Sequence, residues 1–178
     1  MSALTEGTSP AMPPSPSPVH LADYTPPPWL VDIVTLDVQL APTATRVTAK
    51  TKLKPNPEAA ATTSIGLDGE RMQLISVSLD GHLLGCDAYT VSESKLTLHD
   101  VTAEPHALVI ESECDPQANT SLTGLYRSNG VYCTQCEAEG FRRITYFPDR
   151  PDVLAVYSVR LEADKTECPI LLANGNQV

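Results

Sequence analysis

Val31-Asp32-Ile33-Val34-Thr35-Leu36-Asp37-Val38-Gln39-Leu40 decides the fold. Val34, Leu36, Val38 and Leu40 fall on one side of a two-residue alternation, and Thr35, Asp37 and Gln39 fall on the other. Side chains of an extended strand point to opposite faces in turn, so this run reads as a strand with one dry and one wet face. Residues 46–54 repeat the pattern, with Val47, Ala49, Thr51 and Leu53 alternating against Thr48, Lys50, Lys52 and Lys54. Residues 41–45, which include Pro42, join the two as an antiparallel pair.

Working outward, further strands are expected over residues 63–67, 72–79, 88–91, 95–98, 107–114, 131–137, 143–147 and 155–163. Asp68-Gly69, Asp80-Gly81, Asp115-Pro116, Asn129-Gly130 and Asn174-Gly175 punctuate them as turns. No window keeps a helical period for three turns. The expectation is an all-β domain over residues 29–178, a two-sheet antiparallel sandwich or saddle. Residues 1–28 differ: prolines at 10, 13, 14, 16 and 18, then Pro26-Pro27-Pro28, alternate with Ser and Ala. Such a segment has little apolar mass to bury and reads as a disordered tail.

The 178 residues suffice for one well-cored domain, and a hydrophobic content of 42% is that of an ordinary globular protein. Mean hydropathy is −0.12. Aromatics make up only 5%, so Val, Leu, Ile and Ala must fill the core. The net charge of −10, without any block of Lys and Arg, argues against nucleic acid or an anionic membrane as partner. No apolar run approaches the ~20 residues of a membrane-spanning helix, and the N-terminus lacks the order of a secretory signal. Five cysteines without an export signal read as reduced thiols, which makes the cytoplasm the expected compartment.

Chemistry concentrates in Cys133-Thr134-Gln135-Cys136-Glu137-Ala138-Glu139-Gly140-Phe141-Arg142-Arg143. If the strand runs to residue 137, Gln135 and Glu137 share one face with Cys133, while Cys136 turns inward. A carboxylate beside an amide carbonyl forms an acceptor pair suited to a primary ammonium, which has three donors and no acceptor. The same spacing also fits an exposed strand whose Glu137 pairs with Arg142 or Arg143. Cys133 and Cys136, three apart on a strand, point to opposite faces and are read as small buried hydrophobes rather than a redox or metal pair, as are Cys86, Cys114 and Cys168. His20, His82, His99 and His106 show no i, i+4 pairing around a glutamate, so no zinc site of that type is expected, and all four are read as solvent-facing. Gly124, Gly130 and Gly140 are read as turn or close-packing glycines.

The run from Gln135 through Phe147, continued by Asp149-Arg150-Pro151-Asp152-Val153-Leu154-Ala155, resembles the N-terminal β-domain of bacterial-type aminopeptidase N, in the gluzincin aminopeptidase family. So do Leu67-Asp68-Gly69-Glu70 with Leu74-Ile75-Ser76-Val77, and Asn119-Thr120-Ser121-Leu122 with Gly124-Leu125-Tyr126. Glu162-Ala163-Asp164-Lys165 and Asn174-Gly175-Asn176 extend the likeness, which runs from about Tyr24 to Val178.

The resemblance implies a zinc metallopeptidase that removes N-terminal residues from peptides. In it Gln135 and Glu137 would reach the catalytic cleft, bind the substrate's α-amino group and shape the first specificity pocket. Glu139, Arg142 and Arg143 would be architectural, and the turn at residues 149–152 would position the strand. Pro148 departs from the family pattern and removes a backbone donor there. The Gly-x-Met-Glu-Asn motif, the His-Glu-x-x-His helix and the third glutamate ligand of the family are absent from these residues. The expectation is therefore an incomplete domain, inactive alone, whose cofactor zinc and catalytic partner domain lie elsewhere. An unpaired sheet edge and an exposed apolar face should accompany it. A free-standing, non-catalytic β-module for peptide binding is the alternative.

Overall fold

The computed structural model describes residues 20–178. Eleven strands form three sheets, and the described residues contain no α-helix. In order they are β1 (Trp29–Gln39), β2 (Thr45–Pro55), β3 (Ile65–Asp68), β4 (Met72–Leu79), β5 (His82–Leu83), β6 (Tyr89–Val91), β7 (Lys95–Leu98), β8 (His106–Cys114), β9 (Gly124–Ser128), β10 (Val131–Gln135) and β11 (Val156–Glu162). The largest sheet runs β11-β1-β2-β8-β4-β5, a second runs β3-β7-β6, and β9 with β10 makes a hairpin. The all-β expectation holds, with two differences. There are three sheets rather than two, and β1 pairs with β11 in parallel.

The alternating apolar residues of the first two strands form the core. Val34, Leu36 and Val38 of β1 and Val47, Ala49 and Leu53 of β2 are buried in one cluster with Leu108 and Ile110 of β8. Ile65 and Leu67 of β3 and Leu96 and Leu98 of β7 close that cluster from the small sheet. Val31 and Val34 are both buried because the β1–β2 register shifts between Val31 and Ile33. The shift leaves Asp32 and Ile33 outside, as a β-bulge does. Asp32 there meets the Lys54 ammonium at 2.7 Å.

Two flagged turns have the required backbone. Asp80 and Gly81 take φ of 50° and 82°, and Asn129 and Gly130 take 49° and 83°. Two successive left-handed residues make the tight hairpin turn whose twist suits the flanking strands. They join β4 to β5 and β9 to β10.

Several expectations are corrected. The strand at residues 143–147 is absent: Phe141–Arg143 forms a 3-10 turn, and only Phe147 bridges, to Asp68. Ile144 to Phe147 are buried consecutively, so the β-branched and aromatic run fills a buried loop rather than alternating. Residues 1–19 of the expected tail lie outside the described residues. Its remainder is ordered: Tyr24 Oη–H donates to Asp152 at 3.0 Å, and Asn56 Nδ2–H donates to the Pro27 carbonyl at 2.8 Å. His106 is not solvent-facing. It occupies the first inward position of β8, ahead of Leu108 and Ile110, and is 9% exposed. Cys86 is exposed rather than buried.

Candidate functional site

β10 ends at Gln135, two residues short of the expected strand, so Glu137 stands in the turn that follows. The shared-face relation through strand pleating is thus replaced by a turn relation. Both side chains are exposed, and Gln135 Nε2–H donates to the Glu137 carbonyl at 3.3 Å. That bond uses one N–H of the amide and leaves its oxygen unpaired as an acceptor. Cys136 is half-buried between them. Burial first, then the Asp149 charge, pushes its thiol pKa up, which suppresses the reactive thiolate.

The turn closes because Gly140 is a glycine. Its N–H donates to the Cys136 carbonyl at 2.8 Å. A Cβ at this position would strike the Gln135 carbonyl oxygen and come within 2.8 Å of the Cys136 Cα. The peptide bond between Glu137 and Ala138 is cis. Gly124, at the start of β9, has φ of 76°, and a Cβ there would lie 2.5 Å from the Arg143 Cβ. Gly124 lets the start of β9 lie against the Phe141–Arg143 turn, and Gly140 lets the backbone of Gln135 and Cys136 close onto it.

The two adjacent arginines anchor that turn to different partners. Arg142 Nε–H donates to Asp149 Oδ2 at 2.9 Å, its Nη2–H donates to the Asp149 carbonyl at 2.9 Å, and its backbone N–H reaches the same carboxylate at 3.1 Å. Its guanidinium also lies 3.3 Å from Glu139 and 3.9 Å from Glu70. Arg143 binds Glu70 with Nε and Nη2, and also donates to Ser121 Oγ. Asp68 completes the staple, since its carboxylate accepts the Asp149 N–H at 3.1 Å. Asp68 and Phe147 exchange backbone bonds of 2.8 and 3.1 Å. Three carboxylates, Glu70, Glu139 and Asp149, are thereby matched to the two guanidiniums. Glu137 has no ion pair among the described residues. The alternative pairing of Glu137 with Arg142 or Arg143 does not occur.

The turn at residues 149–152 is tied down as well. Arg150 donates to both Asp152 oxygens and to the Thr25 carbonyl. No group of three or more His, Cys, Asp or Glu able to hold a metal ion occurs among the described residues. The donor set for zinc is not met by these side chains. No described helix is long and apolar enough to cross a membrane.

The sequence reading missed β9, the strand that Gln135 faces across the hairpin at Gly124. Gly-Leu-Tyr-Arg-Ser has no clean alternation, but the Asn129-Gly130 turn before β10 already required a strand on its other side. It also missed the role of Glu70, which no local pattern places near Arg143.

The chain's sequence matches a known family. The Peptidase M1 N-terminal domain family matches residues 24–178, and the chain belongs to it. Aminopeptidase N of Caulobacter vibrioides is 46% identical over 164 residues, which cover 92% of this chain and 18% of that protein. Aminopeptidase N of Haemophilus influenzae is 45% identical over 157 residues, covering 88% of this chain and again 18% of the relative. The chain thus spans about a fifth of the length of these relatives. Among solved structures, Legionella pneumophila aminopeptidase A in complex with aspartic acid superposes with a TM-score of 0.81 at 33% identity, over 87% of this chain and 18% of the other. An M1 zinc metallopeptidase from Deinococcus radiodurans shares the fold, with a TM-score of 0.65 at 14% identity over 78% of this chain and 33% of the other.

Proposed function

We propose that this chain serves as the N-terminal β-domain of a zinc-dependent aminopeptidase, in which Gln135 and Glu137 receive the free α-ammonium of a peptide. The observation that carries the reading is the unmatched charge of Glu137. Its neighbours Glu139 and Asp149 are engaged by arginine, whereas Glu137 is exposed, and two residues before it the Gln135 amide oxygen is unpaired. An ammonium supplies the donors that this pair lacks. At ~4 Å and an effective dielectric of about 20, the attraction is on the order of 4 kcal/mol before desolvation is subtracted.

In this reading the domain contributes one wall of a cleft. Metal chemistry belongs to the remainder of such an enzyme, and this domain binds and orients the amino end. Amide NMR of the chain with a free-amino dipeptide amide tests the idea. Shifts confined to residues 135–140, absent with the N-acetylated dipeptide and lost in Glu137→Gln, support it. Equal shifts with both peptides would refute amine recognition.

A further inference from the structure

Away from that site, His106 lies between two acceptors. Its Nδ1 is 2.7 Å from Asp80 Oδ2, and its Nε2 is 2.9 Å from the Thr102 carbonyl oxygen and 3.4 Å from Thr102 Oγ1. A neutral imidazole has one N–H and can satisfy only one of the two main acceptors. The imidazolium donates to both. Burial makes the distinction matter, because an unpaired ring nitrogen facing an oxygen cannot turn to water.

Asp80 is held for this contact. Its Oδ1 accepts the Ala107 N–H at 2.8 Å, and its own N–H donates to the Ala107 carbonyl at 2.8 Å. His82, at the start of β5, lies on the same turn, with Nδ1 3.1 Å from the Asp80 carbonyl oxygen. Glu104 adds negative charge from the loop before β8. β1 contributes the Trp29 ring, 5.8 Å from the imidazole and tilted by 53°, and β2 contributes Leu53 as the cross-strand partner. Neither is charged.

We propose that His106 is held as an imidazolium and works as a charge-dependent latch, tying both the Asp80-Gly81 turn and the Thr102 loop to the start of β8 and giving up one of the two ties when its proton leaves. The titration direction agrees with the geometry. Burial pulls the imidazole pKa down, but the Asp80 bond, the Thr102 carbonyl and the charges of Asp80 and Glu104 outweigh it, and the net shift is upward from 6.5. Asp80 moves the other way, lowered first by the Ala107 N–H and then by His106. For a histidine raised on folding, the added stability is complete below the ordinary value and fades as pH climbs through the folded one. The Asp80 share is lost instead as pH falls through its depressed value.

Trp29 is the sole tryptophan, so its emission reports on this ring alone. A protonated imidazole quenches a nearby indole. Raising the pH of the full chain should therefore lift Trp29 emission in a single transition with a midpoint above 6.5. Asp80→Asn should shift that midpoint down, and His106→Gln should abolish the step. Should either variant fail to fold, nitrogen-15 NMR of the unmodified chain decides, because at pH 6.5 the ring must be mainly protonated on both nitrogens. A midpoint at or below 6.5, or a ring mainly singly protonated at that pH, overturns the latch.

Discussion

Arg143 spans 73 positions of sequence to place two N–H groups on one oxygen of Glu70, at 3.1 and 2.9 Å. This pair connects the end of β3 to the turn that follows Glu137, and so couples the sandwich to the candidate site. Both partners are only partly exposed, 20% and 30%, so water replaces the bond poorly. Glu70→Ala should destabilise the chain by about 2 kcal/mol, measured by urea unfolding. A double-mutant cycle with Arg143→Ala should show the two losses overlapping rather than adding.

Gly140→Ala tests the turn itself. The new methyl group would press on the Gln135 carbonyl and the Cys136 Cα, both backbone, so no side chain can move aside. A loss of roughly 2 kcal/mol or more is expected, with faster hydrogen exchange at residues 135–140 than elsewhere. Exchange unchanged in that segment would show that the turn tolerates the substitution.

The thiols should separate by burial. Desolvation, then the Asp115 and Glu113 charges, pushes Cys114 up to about 11, while Cys86 stands exposed. Alkylation of the native chain near pH 8, followed by peptide mass spectrometry, should label Cys86 early and Cys114 only after unfolding. Early labelling of Cys114 would mean that β8 frays at its end.

The strand β11 presents the expected unpaired edge. Tyr157 and Val159 share the inward face of β1 through the pairs Val34↔Tyr157 and Leu36↔Val159, yet remain 45% and 43% exposed. An apolar edge of this kind invites pairing between molecules. Val159→Lys should lower concentration-dependent association in sedimentation velocity. Identical sedimentation of both forms at high concentration would show that the edge is inert.

The sheet framework was legible because burial on one face imposes an alternation that survives in Val34, Leu36, Val38 and in Val47, Ala49, Leu53. Residues 72–79 and 95–98 were placed with their ends correct for the same reason. Legibility failed where burial is not periodic. Ile144-Thr145-Tyr146-Phe147 is buried throughout and looks like a strand, although its backbone follows the 3-10 turn held by Asp149. The sequence hides His106 because Ala107 is the first apolar residue of that run; the alternation of Leu108 and Ile110, carried back two places, ends on the histidine. Parallel pairing of β1 with β11 joins segments over a hundred residues apart, and nothing local to either strand encodes it. At the candidate site the sequence singles out Gln135 and Glu137, but not that the strand stops at Gln135 and a turn carries Glu137.

Whether Glu137 grips a protonated amine is tested most directly by one kinetic comparison. In an M1 aminopeptidase carrying this domain, Glu137→Gln should raise KM for an unblocked substrate roughly 10- to 100-fold, the loss of one charge-assisted hydrogen bond. Glu139→Gln, whose carboxylate lies 3.3 Å from Arg142 and is more than half exposed, should leave KM nearly unmoved. Equal KM values for the two variants would contradict the assignment.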